Sequence, residues 1–270
     1  MIRIKRGISM PPLESLRDAA IKSAHKAGEI LLRHFGKRLS ISEKKDAGLV
    51  TSADVAAEDA VIKTLLGKFP EFSFLSEEAG ASGNSGAGRW IIDPLDGTTN
   101  YVHGFPMFCV SVAAEWLGCI VAGVVYHPVL RDTYSAILGG GAYLNGKRIK
   151  VSKTSRLRNS LLTTGFSYLK AGTLHDEMIA FEKLTETARA IRRPGSAALD
   201  LAYMARGVFD GFWERQLSPW DMAAGILLVT EAGGKVTDFT GNEFSLTGKQ
   251  ILASNRILHP SLIKVLAYKS

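Results

Sequence analysis

The chain has 270 residues, 46% hydrophobic and 22% charged, with 33 Lys and Arg against 26 Asp and Glu and a net charge of +7. That balance excludes disorder, a collagen repeat and a coiled coil, and the length suits one large domain or two fused halves around a sizeable core. The surplus charge is thin support for a nucleic-acid partner, because Arg3, Lys5 and Arg6 lie together in a leader before Met10 that contains no acid.

That leader lacks the apolar core of about 7–15 residues that a signal peptide needs. The longest apolar stretch, Phe105 to Leu130, is broken by Glu115 and several glycines, so it reads as two strands rather than a membrane span. A cytoplasmic protein with no membrane partner is expected, starting at Met1 or Met10. A hairpin turning near Leu117-Gly118 sets Cys109 opposite a residue near Tyr126 and not opposite Cys119, so two reduced, buried thiols are expected.

Leu13, Leu16, Ala20, Ala24, Ala27, Leu31 and Phe35 recur at helical spacing before Gly36 and predict an amphipathic helix over 12–35. A second helix is predicted from Ser52, with Thr51 and Asp54 as a capping box, to Gly67 before Pro70. Short strands at Phe72 to Leu75 and Trp90 to Asp93 flank a flexible Gly/Ala/Ser run over 79–88.

The middle third reads as mostly antiparallel sheet: Phe108 to Trp116, Cys119 to His127, Thr133 to Ile137, and a hairpin at Asn145-Gly146. Beyond Val151 the pattern predicts a strand near Leu161, helices at Leu174 to Ala190 and Ser196 to Ala205, a strand at Val208 to Trp213, and a helix from Pro219 to Glu231. The whole reads as a layered α/β protein of mixed α+β type, one compact unit with halves 1–153 and 154–270.

In Trp90-Ile-Ile-Asp93-Pro-Leu-Asp96-Gly-Thr-Thr99 a strand delivers two aspartates to one turn. Oxygen-rich clusters of this kind suit magnesium, and the amides of Gly97, Thr98 and Thr99 suit phosphate. An ordinary Asx turn reads the segment equally well. Glu77 and Glu78 follow a strand end, where solvated glutamates are common. Ser218-Pro-Trp-Asp221 is complete as a helix cap, and cap and metal ligand are compatible roles; Asp54 has the same ambiguity. His103 and His127 read as structural, Gly139-Gly-Gly141 as a turn, and Tyr203 and Met204 as helix core or subunit contact.

Asp54, Glu77, Asp93 and Asp96 with Gly-Thr-Thr, then Trp220-Asp221 before Ala-Ala-Gly, occur in an order that resembles the inositol monophosphatase family of magnesium-dependent, lithium-sensitive phosphatases. The likeness runs from the first helix to near the C-terminus, and Gly195-Ser-Ala-Ala-Leu-Asp-Leu-Ala202 resembles the bacterial inositol-1-monophosphatase branch. The resemblance implies a layered αβαβα sugar-phosphatase fold with two mixed sheets sandwiched by helices, two or three Mg2+ ions and a homodimer. It implies Glu77, Asp93 and the Leu95 carbonyl around one ion, and Asp93, Asp96 and Asp221 around a second. Glu77 and Thr98 would position the attacking water with support from Asp54, and Gly97 and Thr98 would contact phosphate. Ser167, Ala197 and Glu214 match the alcohol-recognition region, with Arg215 as an added cation beside Glu214.

The expected activity is hydrolysis of a phosphate monoester, myo-inositol 1-phosphate first among them. Fructose-1,6-bisphosphatase activity is the rival if Arg192, Arg193 or Arg215 takes a second phosphate. Histidinol phosphate and 3′-phosphonucleotides are further substrates for the same chemistry. A regulatory RNA- or protein-binding role on a retained phosphatase fold, including contact with the transcription machinery, is the alternative of a different class.

Overall fold

Period-3.6 and period-2 apolar patterns fold into alternating layers in the computed structural model, which describes residues 9–37, 41–44, 48–83, 86–166 and 174–267. Helix α1 (Leu13–His34) turns Leu16, Ala20, Ala24, Ala27 and Leu31 inward. Burial of Leu16 and Leu31 stabilises the fold by about 1.5–3 kcal/mol each. The hairpin β1 (Ile41–Lys44) and β2 (Gly48–Thr51) leads into α2 (Ser52–Leu66). The expected cap is present: Thr51 Oγ1 accepts the Ala53 and Asp54 amides, and Asp54 Oδ2 accepts the Thr51 amide at 2.9 Å.

An eight-stranded sheet follows. Its strands are β3 (Ser73–Ser76), β4 (Gly80–Ser82), β5 (Gly88–Asp96), β6 (Cys109–Trp116), β7 (Cys119–His127), β8 (Asp132–Ile137), β9 (Gly141–Leu144) and β10 (Lys147–Arg148). Their order is β10-β9-β8-β7-β6-β5-β3-β4, antiparallel throughout except for β3 against β5. The short helix α3 (Thr98–Val102) interrupts the sheet after β5. The Asn145-Gly146 turn forms as expected, with positive φ at both residues.

The second sheet has five strands, β11 (Leu161–Thr164), β12 (Ala190–Arg192), β13 (Gly211–Arg215), β14 (Gly234–Thr237) and β15 (Gln250–Asn255), in the order β12-β11-β13-β15-β14. Helices α4 (Leu174–Thr187), α5 (Ala197–Arg206), α6 (Pro219–Glu231) and α7 (His259–Leu266) complete the seven found among the described residues.

Three buried clusters define the layers. One joins α1 and α2 to one face of the large sheet. A second fills the space between the two sheets with α5 and α6, and a third packs α4 and α7 on the outer face of the small sheet. The result is the expected αβαβα sandwich of two mixed sheets. Within β6 the alternation is plain: Val110, Val112 and Ala114 face α1 and α2, whereas Cys109 and Ala113 face α5 and α6.

Several expectations are corrected. Part of the Gly-rich run forms edge strand β4, because its backbone pairs with β3 through Leu75 and Ala81. The fourth helix stops at Thr187, and Ala190–Arg192 instead form β12 alongside β11. Strand β13 starts at Gly211, since Gly207 is a left-handed cap and the Asp210 carboxylate is occupied by the Leu161 amide and Ser152 hydroxyl. Cys119 is exposed, not buried, because it directly follows the turn made by Leu117 and Gly118, both at positive φ.

Candidate active site

A backbone irregularity creates the site. Asp93 pairs with Ser111, yet the next pair along β5 is Asp96 with Cys109. Residues three apart in a regular strand face opposite sides; the extra residue housed at Pro94-Leu95 returns Asp96 to the side of Asp93. Both carboxylates then look into the layer of α5 and α6.

That layer meets them with helix N-termini. Asp96 Oδ2 accepts the Ser196 hydroxyl and the Ala198 amide, each at 2.7 Å, and so caps α5. Asp221, in the first turn of α6, accepts the Ser218 amide at 2.7 Å, as a capping acid should. Ser111 donates to the Trp220 carbonyl at 3.2 Å and ties α6 to β6. Glu77 enters from the turn after β3, its amide bonded to Ile92 O at 3.2 Å.

Asp93 is 1% exposed, with Oδ1 accepting the Leu95 amide at 3.0 Å. Burial first, then repulsion from Glu77, Asp96 and Asp221, pushes its carboxyl well above the ordinary range. These acids are therefore near enough to feel one another, and cations or protons are needed to stabilise them together. Among the described residues, no three acidic, His or Cys side chains already stand in one metal-binding group. The donors that converge are hard oxygens, the class magnesium takes.

Behind them, the Thr98 hydroxyl lies 3.1 Å from Leu95 O and 3.4 Å from Asp54 Oδ1. Burial raises the Asp54 carboxyl to about 6, against the lowering effect of its bonds to Thr51. Gly97 sits at φ +97, and a Cβ there would meet Met107 O at 2.8 Å, so this turn requires glycine.

The other end of the site is a cavity of about 190 Å³ bordered by Asp96, Ala197, Arg193, Asp200, Glu214 and Asp221. Strand alternation sends Glu214 towards α5 with Phe212, and Arg215 to the opposite face with Trp213. Arg215 accordingly stacks on Phe239, 4.7 Å from the ring centroid, rather than pairing with Glu214. Burial, then Asp221 and Asp96, raises the Glu214 carboxyl, and Arg193 opposes the shift. A Cβ on Gly165 would fall 2.3 Å from Glu214 Oε1, so that carboxylate rests directly on glycine backbone. A separate cavity of about 300 Å³ beside α4 and α7 is lined by Arg215 and Asp176 and by none of the acids named above.

The fold thus gathers Asp54, Glu77, Asp93, Leu95, Asp96, Gly97, Thr98, Ala197, Glu214 and Asp221 around one region. Ser167 lies outside the described residues, as does the basic leader. Of the three arginines proposed for a second phosphate, Arg193 borders the cavity, Arg192 is exposed, and Arg215 faces away. His103 is exposed, and His127 is buried with its pKa lowered by desolvation. The three-glycine turn does bind a carboxylate, that of Glu231, through Gly139 N at 2.7 Å and Gly141 N at 2.8 Å.

Asp200 was not singled out by the sequence reading. It is 1% exposed, and burial followed by the nearby Glu214 raises its carboxyl. The available signal was an acid inside the apolar run of α5. Glu58 was also missed, although it lies four residues after Asp54 and hence on the same helix face.

The chain is similar to known proteins over most of its length. The model of the inositol monophosphatase family matches residues 12–269. An inositol-1-monophosphatase of Mesorhizobium japonicum is 42% identical over 93% of this chain and 95% of its own. The Nus factor SuhB of Pseudomonas aeruginosa is 42% identical over 90% of this chain and 92% of its own. The crystal structure of the extragenic suppressor protein suhB from Bartonella henselae superposes with a TM-score of 0.91 at 40% identity, covering 95% of this chain and all of that one.

Proposed function

We propose that this chain, which belongs to the inositol monophosphatase family, is a magnesium-dependent phosphomonoesterase whose preferred substrate is myo-inositol 1-phosphate, released as myo-inositol and phosphate. The observation that carries the reading is the bulge in β5, which turns Asp93 and Asp96 to one side, towards Asp221 and Glu77.

Glu77, Asp93, Leu95 O, Asp96 and Asp221 would hold two or three magnesium ions. When bound, magnesium lowers the pKa of water, orients phosphate and stabilises charge on the leaving oxygen. The chain's own part is positioning. Glu77 accepts a hydrogen bond from the attacking water, and Thr98 holds that water from the other side. The Thr98 hydroxyl has a single proton, and Leu95 O and Asp54 Oδ1 both stand ready to accept it, which leaves its lone pairs for the water. Gly97 and Thr98 receive the phosphate through their amides. Ala197 and Glu214 border the space for the alcohol, where the Glu214 carboxylate accepts hydrogen bonds from polyol hydroxyls; Ser167 belongs to the same reading. No protein nucleophile is used. A homodimer in the cytoplasm completes it.

The deciding experiment is turnover on inositol phosphates, fructose 1,6-bisphosphate, histidinol phosphate and 3′-phosphonucleotides with and without magnesium. Highest kcat/KM on inositol 1-phosphate supports the proposal, and preference for the bisphosphate would transfer it to the Arg193 reading. The Pseudomonas relative's name motivates a second reading, a regulatory RNA- or protein-binding role. Salt-dependent RNA binding that survives Asp96→Asn, with no hydrolysis of any ester, would carry that one.

A further inference from the structure

Asp54 and Glu58 leave α2 from the same face, one turn apart, and only Asp54 has so far been given a task. Glu58 is 5% exposed. Its Oε1 gathers three donors: the Ser76 hydroxyl, the Glu78 amide at 3.1 Å and the Ala79 amide at 3.2 Å. These donors bracket Glu77, one residue before it and the next two after it. The Ser76 hydroxyl is also within 3.4 Å of Ile92 O, and the Glu77 amide bonds the same carbonyl. The turn that presents Glu77 is therefore shaped by a buried carboxylate from a different element, through charge-assisted bonds to backbone.

We propose that Glu58 is a positioning residue for Glu77: by clamping residues 76–79 it sets where the Glu77 carboxylate stands relative to Asp93, and through that the affinity of this end of the site for a divalent cation. The inference rests on the proposed metal role of Glu77. An adhesive contact between α2 and β3 would use the same bonds, but it would change stability without changing cation affinity selectively.

The test uses Mn2+ as the probe, with free Mn2+ followed by electron paramagnetic resonance, so that no turnover is needed. Glu58→Ala should weaken one class of Mn2+ sites by about 10–100-fold, the usual effect of losing a group that orients a ligand. Glu58→Gln keeps an acceptor oxygen and should recover most of that loss. Because Glu58 acts through Glu77, Glu58→Ala should add almost nothing in a Glu77→Gln background. Full additivity, or wild-type affinity in Glu58→Ala, would overturn the assignment. Should Glu58→Ala fail to fold, Ser76→Ala removes one of the three donors and should give a smaller shift, again abolished by Glu77→Gln; additivity there has the same force. Wild-type protein that binds no Mn2+ would overturn the metal reading itself, whereas normal wild-type binding with additive variants overturns only the role of Glu58.

Discussion

The acids on the eight-stranded sheet and those facing the five-stranded sheet are held in place by different means. Asp93 and Asp96 hang from a bulge, and Asp96, Asp221 and Asp54 each accept backbone amides at a helix start. Among the described residues no backbone amide is seen to clasp Glu214 or Asp200; Glu214 rests on Gly165, Asp200 is bonded by the Thr163 side chain, and burial and the charge of Arg193 act on both. The position of a backbone-anchored group is set by the fold itself, whereas the position of a group held by its neighbours depends on which side chains those are. On the proposed function, the first sheet would fix the chemistry and the second would adjust which alcohol is accepted.

The sharpest way to break the contrast is at its rigid end. Asp93→Asn and Asp96→Asn should each lower kcat by about 10³-fold or more. Melting in EDTA should change by only a few degrees, since removing a charge relieves repulsion in the cluster. Near-wild-type turnover of Asp96→Asn at saturating magnesium would move the reaction elsewhere.

At the adjustable end, Glu214→Gln should lower kcat/KM for inositol 1-phosphate by about 10–150-fold, equivalent to about 1.5–3 kcal/mol for one charged hydrogen bond. p-Nitrophenyl phosphate, which offers no polyol hydroxyls, should lose far less. Gly165→Ala, whose new methyl group would displace the Glu214 carboxylate, should reproduce the same split. Equal losses on both esters would mean that Glu214 does not read the alcohol.

The second sheet should also be the more acid-sensitive. His259 is buried, with Thr237 Oγ1 2.9 Å from Nε2 and Ser254 Oγ 2.7 Å from Nδ1, and desolvation lowers its pKa to about 4. The unfolded imidazole titrates near 6.5, so between these values the unfolded chain binds the extra proton. Stability from the neutral ring is complete above about pH 6.5 and is lost as pH falls towards 4, by on the order of 2 kcal/mol. Urea melts at pH 7 and 4.5 measure it, and His259→Gln should flatten the difference.

The smallest effect is expected where the two regions are merely tied together. Glu231→Ala removes the acceptor for Gly139 N and Gly141 N and should cost about 1 kcal/mol in thermal or urea unfolding, with kcat unchanged within about twofold. A large fall in kcat would show that the C-terminal end of α6 governs Asp221 at its start.

Local signals were legible in the sequence wherever the physics acts over a few residues. The apolar period of α1, the Thr51–Asp54 cap, the Asn145-Gly146 turn and the Ser218–Asp221 cap all depend on neighbours within one or two turns of chain. The order of Asp54, Glu77, Asp93, Asp96 and Asp221 carried the family resemblance. Tertiary structure alone decided what spans long separations. The β5 bulge, which sets Asp93 and Asp96 on one side, is defined only against β6. Asp96 caps a helix that begins a hundred residues later, and Glu58 reaches the Glu77 turn from another element. Asp200 becomes part of the site only when α5 is laid against β11 and β13, and Cys119 is exposed because of where its hairpin meets solvent. Hydrogen bonds and burial of this kind belong to pairs of distant segments, and neither segment carries the partner's identity in its own sequence.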